Sequence, residues 1–206
     1  MALWRKIRTQ PNVRKNHGTT ETVEKMSLDQ FCEWALTQDR KYEMYRGEIF
    51  DVYAMAGAKA AHNIVTLNVG AALNNALRGK PCRPLVADMM LRVAPDGAGF
   101  YPDVMVTCSE ADRARETFKT DAVLVVEVLS DSTVGYELGK KFESYRGIGS
   151  MQEIVFIDPT RKSVDHYRRD GAQWVLLAKS AALDLQCVGV TVLRSDVFAD
   201  IETAAT

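Results

Sequence analysis

The stretch Ala122-Val123-Leu124-Val125-Val126-Glu127-Val128-Leu129 decides the fold. Every residue but Glu127 is apolar and four are valine, so the run predicts a strand covered on both faces. Further along, Leu138, Phe142 and Tyr145 recur at i, i+4 and i+7, which predicts a helix over 136–146 with that stripe against the sheet. Residues 153–158 form another apolar run. Strand, helix and strand make a crossover, and its two strands must be parallel.

Working outward toward the start, 103–108 and 82–93 are rich in Val, Leu and Met and read as strands. A helix is predicted over 58–77, stopped by Gly79 and Pro81. Arg46-Gly47 marks a hairpin between strands at 41–45 and 48–55, and Ser27-Leu-Asp-Gln30 opens a helix over 28–38 as a capping box. Toward the end, Asp170-Gly171 joins strands at 163–169 and 173–178. Gly97-Ala98-Gly99 reads as a turn, since no Gly-Lys-Ser/Thr follows it as a phosphate loop requires. The class is α/β: a mixed β-sheet, antiparallel at its start and parallel in its middle, flanked by helices.

Residues 1–26 carry Arg5, Lys6, Arg8, Arg14, Lys15 and His17 among polar neighbours, with nothing periodic to bury. They are expected to be a flexible basic tail, and 27–206 one domain. Across the 206 residues 26 Lys and Arg balance 27 Asp and Glu, so net charge gives no nucleic-acid footprint and any basic surface is local. Cys32, Cys82, Cys108 and Cys187 lie far apart without zinc-ligand spacing, and read as reduced core thiols. The absence of an apolar run of roughly 18 residues leaves the cytoplasm as the expected compartment, with no membrane partner.

Glu127 carries the chemistry of its strand. A carboxylate in such a run loses hydration worth several kcal/mol, so it needs a cation, a metal or donors, or it stays protonated. A structural ion pair and a functional acid both satisfy that. Asp103 shifts the balance, because Tyr101-Pro102-Asp103 opens another apolar strand and strand ends present functional side chains. On neighbouring strands the two acids could share a hard cation such as magnesium within about 4 Å, a phosphodiester-hydrolysis geometry. A lysine would steady the developing phosphorane charge. Lys141 borders the Leu138–Phe142–Tyr145 stripe, whereas Lys140 lies about 200° from Leu138 and points outward, so Lys141 is the candidate. Asp88, inside Leu85-Val-Ala-Asp-Met-Met-Leu91, is a weaker acid for the same site.

The order and spacing of several phrases resemble one family. They are Tyr42-Glu43, Arg46-Gly47-Glu48, Met55-Ala-Gly-Ala58, His62-Asn63, Arg78-Gly79-Lys-Pro-Cys82, Asp88-Met89 and Arg92-Val93. Tyr101-Pro102-Asp103-Val104, Val126-Glu127-Val128-Leu129-Ser130, Lys141-Phe142, Tyr145-Arg146 and Phe156-Ile-Asp158 follow. Over most of 41–201 the chain is similar to the Uma-two family of restriction-endonuclease-like proteins, within the PD-(D/E)xK nuclease superfamily. The resemblance implies a restriction-endonuclease-like core whose Asp103 and Glu127 bind Mg2+, with Mn2+ as a substitute. The superfamily's usual lysine, two positions beyond the glutamate, is here Leu129, and the family pattern moves it to Lys141. An added acid from an early element would by position be Glu48, with Glu43 second. His62 could contact phosphate or the metal's water shell, although a lone helical histidine is more often structural.

The expected function is therefore a magnesium-dependent endonuclease hydrolysing DNA phosphodiester bonds, with Asp103, Glu127, Lys141, Glu48 and His62 as its catalytic candidates. A homodimer would place two single-strand cuts together. The alternative is a catalytically inactive nuclease-fold module that binds nucleic acid or a protein partner. The clusters Arg161-Lys162 and Arg168-Arg169 read as solvated, and Trp174 as packing.

Overall fold

The structure, a computed structural model, describes residues 26–51, 60–129 and 136–201. Apart from Met26, the expected tail lies outside them, as do Met55 to Ala58 and Ser130. Helix α1 (Leu28–Ala35) starts under the expected capping box: Ser27 Oγ accepts the Gln30 N–H at 3.2 Å, and Gln30 Oε1 accepts the Ser27 N–H at 2.9 Å. It stops short of 38 because the Thr37 N–H and hydroxyl both turn back onto the Trp34 carbonyl. Strands β1 (Tyr42–Tyr45) and β2 (Glu48–Asp51) follow, joined by Arg46 and Gly47 at φ 51° and 82°. Two positive φ values are what a tight hairpin turn demands. Helix α2 (Ala60–Leu77) buries Val65, Val69, Leu73 and Leu77.

The single strand expected over 82–93 is two strands in different sheets, β3 (Arg83–Val86) and β4 (Met90–Val93). Between them Ala87 and Asp88 take left-handed conformations, φ 41° and 54°. The chain returns through β5 (Ala98–Phe100) and β6 (Val104–Thr107), pairing β4 with β5 and β3 with β6. Residues 83–107 are thus one long antiparallel hairpin, bent in the middle. Pro102 sits at the bend without an N–H to continue the ladder, and the Ala87 N–H to Asp103 carbonyl bond, 3.1 Å, bridges it. Asp88 is accordingly not an acid in an apolar strand: its side chain is 77% exposed and ion-paired with Lys41. Of the expected 97–99 turn only Gly97, at φ 58°, turns. Gly99 is in β5, where a Cβ would meet the Phe31 ring at 2.9 Å.

After α3 (Glu110–Ala114) and β7 (Phe118–Lys119) come β8 (Ala122–Val128), α4 (Tyr136–Arg146) and β9 (Glu153–Asp158). Strands β8 and β9 are parallel, so the crossover stands as the sequence predicts. The predicted final hairpin is β10 (Ser163–Asp170) with β11 (Gln173–Leu176), and β12 (Ala182–Leu185), β13 (Val190–Leu193) and α5 (Arg194–Val197) complete the described chain. The strands divide into two sheets, β11-β10-β9-β8-β6-β3 and β2-β1-β5-β4-β7, with β12-β13 as a ribbon. The antiparallel start of the chain therefore belongs to a second sheet. Both faces of the six-stranded sheet are covered. Val104, Val126, Val128, Val155 and Ile157 pack with the buried side of α2, while Met105, Val125, Ile154 and Phe156 pack with Tyr145 of α4. Among the described residues no helix is long and apolar enough to cross a membrane.

Two local features fix the β6 register. A bulge in β8 shifts the β6–β8 pairing between Val106 and Thr107. On the other edge, pairing Arg83 with Thr107 sets Cys82 opposite Cys108, and the two form a disulfide. That corrects the expectation of reduced thiols throughout; Cys32 and Cys187 remain free. A link across 26 residues of sequence is worth about 3 kcal/mol. Cys108→Ser, or reduction of the wild type, should lower the melting temperature by on the order of 10 °C. Thiol titration of the unreduced, denatured protein should find only Cys32 and Cys187; reaction of all the cysteines would remove the disulfide.

Candidate active site

The site lies where the bent hairpin passes from one sheet to the other. Asp103 is one residue before β6, and continuing the Val104↔Val126 pairing by one step sets it opposite Glu127. The Val128 N–H donates to Asp103 Oδ2 at 2.7 Å, so the carboxylate is fixed to the backbone of the Glu127 strand. Its other oxygen, Oδ1, lies 3.3 Å from His62 Nε2 on α2. Glu127 and Asp103 share the strand face that carries Val125 and Met105, the side covered by α4.

Helix α4 delivers two groups to Glu127 from one side. Lys141 Nζ lies 3.2 and 3.3 Å from the two Glu127 oxygens, and the Tyr145 hydroxyl donates to Oε1 at 2.5 Å. These residues are i and i+4, one above the other on the helix. Lys140, the alternative lysine, lies instead over the rings of Tyr45 and Phe50, 5.2 and 5.1 Å from their centres. The last member comes from the second sheet: Glu43 on β1 is buried, and its Oε1 accepts from Lys141 Nζ at 3.2 Å and from the Tyr101 N–H at 3.0 Å.

Of the sequence candidates, the structure gathers Asp103, Glu127, Lys141 and His62. Glu48 is half-buried in β2 and opposes Tyr45, next to the turn. Glu43, the second choice by position, reaches Lys141 instead. The alternation Glu43–Met44–Tyr45 holds the signal, because it puts the acid on one face of a strand and Met44 on the other. Tyr145 reads from sequence as a core residue of the helix stripe. Only its position i+4 from Lys141 hints that its hydroxyl meets the same acid.

The electrostatics separate this cluster from the other buried acids. Burial pushes the Glu127 carboxyl up to about 7, with Asp103 and Glu43 adding to the rise and Lys141 and Tyr145 opposing it. Burial works against the Lys141 ammonium, but Glu127, Glu43 and Asp103 outweigh it and hold the proton on. His62 is raised chiefly by its hydrogen bond to Asp103, and Tyr145 is raised by burial and then by Glu127. Glu153 goes the other way. Burial raises it, yet His166 at 3.3 Å, Cys187 and Arg168 bring it down to about 2. Asp112 is likewise lowered: burial opposes this, but the Thr120 and Asp121 N–H groups, Thr107 and Arg115 donate to it. Donors outweigh burial at those two acids; at Glu127, with Lys141 and Tyr145 against two neighbouring acids, burial wins.

Several basic groups expected to be solvated are structural. Arg169 donates to the carbonyls of Arg146, Ile148 and Gly149 and so caps the end of α4, while Arg168 pairs with Glu153. Trp174 packs near Phe142, as expected.

The donor set suits a hard divalent cation. Asp103, Glu127 and Glu43 present carboxylates against the single ammonium of Lys141, an excess of negative charge that such a cation would balance. Among the described residues no three His, Cys, Asp or Glu side chains are grouped to hold a metal by themselves. The Asp103–Glu127 pair would therefore share the ion with water and substrate oxygens, which is magnesium's usual manner of binding.

The mixed α/β fold, with helices on its sheets, is of a nuclease-like class by its likeness to a known structure. A solved structure described as "a putative nuclease belonging to DUF820", from Anabaena variabilis, shares this fold. Its TM-score is 0.68 over 84% of this chain and 98% of that one, at 14% identity. The chain belongs to the Uma2 family, whose description is "Putative restriction endonuclease" and whose model matches residues 28–190. Two Synechocystis relatives are similar along most of their length. "Uncharacterized protein slr1290" is 30% identical over 178 residues, 85% of this chain and 92% of that one. "Uncharacterized protein sll1609" is 37% identical over 140 residues, 66% of this chain and 77% of that one.

The raised Glu127 pKa has a consequence for stability. The native protein binds that proton more tightly than the unfolded chain, so the contribution is full below about pH 4.5 and is lost as pH rises toward about 7. Glu153 titrates below this window, where its stabilisation is lost as pH falls toward about 2. In chelator, wild-type melting temperature minus that of Glu127→Gln should therefore fall between pH 4.5 and 7. A flat difference across that window would contradict the assignment.

Proposed function

We propose that the chain is a magnesium-dependent endonuclease that hydrolyses DNA phosphodiester bonds, with Asp103 and Glu127 as the metal ligands and Lys141 as the third catalytic group. The observation that carries this reading is that Asp103 before β6, Glu127 on β8 and Lys141 on α4 come together at one buried place. The Asp103 segment docks on the Glu127 strand through the Val128 N–H, and α4 places Lys141 on Glu127 itself. Family membership supports the reaction class.

In hydrolysis, water adds to phosphorus in line with the ester oxygen that leaves, giving a phosphate monoester and a hydroxyl. Magnesium, with manganese as its substitute, would supply the positive charge that makes the phosphate electrophilic and the water acidic. The protein's own residues set the geometry. The Val128 N–H and His62 hold Asp103 in one orientation, and Tyr145 holds Glu127. Lys141 keeps its proton at neutral pH and can offer fixed positive charge to the extra negative charge of the phosphorane. His62 is half-buried with its Nε2 turned to Asp103, so its part in this reading is to orient that acid.

A catalytically inactive module that binds nucleic acid or a protein partner is the second reading, favoured by Leu129 standing two residues beyond Glu127, where the superfamily resemblance expects a lysine. One assay decides between them. Plasmid DNA incubated with the purified protein and Mg2+ or Mn2+ should be nicked or cut, and chelator should stop it. Asp103→Asn and Glu127→Gln should each reduce the rate by at least about 100-fold. Equal cleavage by wild type and both variants would refute the site. DNA binding by a wild type that never cuts would establish the second reading.

A further inference from the structure

Lys141 stands between two carboxylates. Its Nζ is 3.2 Å from Glu43 Oε1 and 3.2 and 3.3 Å from the Glu127 oxygens, so one ammonium spans an acid from each sheet. A divalent cation on Glu127 would repel an ammonium in contact with the same oxygens. Lys141 would have to withdraw from Glu127, and its mostly buried side chain cannot be left without an anion. Glu43 is already within hydrogen-bond distance and cannot easily move away. It is buried in a strand paired on both sides, and the Tyr101 N–H holds its oxygen.

We propose that Glu43 is a positioning residue for Lys141, a second seat that keeps the ammonium beside the site when a divalent cation takes Glu127, and is not itself a ligand of that cation. The inference rests on the metal reading given above. The same carboxylate oxygen binds the backbone two residues before Asp103, so the position of the lysine is tied to the segment bearing the first acid. Without this seat, Lys141 would contend with the cation for Glu127 more strongly.

A double-variant cycle on the full chain tests this by Mn2+ calorimetry, with no turnover required. Wild type, Glu43→Gln, Lys141→Met and the double variant are titrated, with thermal melts to confirm folding. The amide introduced by Glu43→Gln would keep an acceptor for the Tyr101 N–H while removing the charge that seats the lysine. Lys141→Met is expected to bind Mn2+ about tenfold more tightly than wild type, and Glu43→Gln several-fold more weakly. The double variant should lie close to Lys141→Met, because with no lysine to seat, Glu43 acts on the cation only through its charge at a distance. A loss on removing Glu43 as large in the Lys141→Met background as in wild type would make Glu43 a ligand and overturn the proposal. So would an unchanged affinity for Glu43→Gln in both backgrounds. Should Glu43→Gln fail to fold, Glu43→Ser, run through the same cycle, carries the same comparison. Absence of Mn2+ binding in every variant would bring down the Asp103–Glu127 metal reading, and this inference with it.

Discussion

Burying a carboxylate at the centre of a valine-rich sheet is the constraint on which the rest of the site depends. Glu127 is almost wholly cut off from water, so its neighbours must compensate its charge or it must take up a proton. The structure does some of each. Lys141 and Tyr145 approach from α4, while Asp103 and Glu43 bring further negative charge close enough to keep the carboxyl titrating near neutrality. A better-compensated Glu127 would resemble Glu153, whose donors hold it ionised down to about pH 2. Burial raises both acids; it dominates at Glu127, which also has two acids beside it, and is overcome by donors at Glu153.

The supply of the lysine follows from the same geometry. The place two residues after the glutamate, on the same strand face, is Leu129, whose side chain joins the apolar cluster under α4. The crossover helix passes over that face in any case. A lysine one helical turn before Tyr145 therefore reaches the same carboxylate by another route.

Much of the framework is legible in the sequence because periodicity and punctuation act locally. The capping box at Ser27, the Arg46-Gly47 turn and the crossover from β8 through α4 to β9 all follow from short-range patterns. The bend at 87–88 does not. Val86-Ala87-Asp88-Met89 carries no Gly or Pro, and the interruption of the ladder comes from Pro102 on the partner strand, a long-range cause. The disulfide is hidden for the same reason: Cys82 and Cys108 are brought together only by the β3–β6 register. Asp103, Glu127 and Lys141 are readable as acids heading or interrupting apolar strands and as a lysine bordering a stripe. Glu43 is harder to favour, since its burial depends on a second sheet that no local pattern announces.

The bulge in β8 acts as a detent for the acid pair. A regular two-stranded ladder can slide by one residue and rebuild every hydrogen bond, but it would turn Asp103 to the opposite face from Glu127. With an extra residue accommodated opposite Val106 and Thr107, sliding would first require that distortion to travel along the strand, past buried valines that have no room for it. The irregular end of the pairing thus keeps the regular end in phase. Insertions or deletions between the bulge and Asp103 should be tolerated far less than changes of side chain at the same positions.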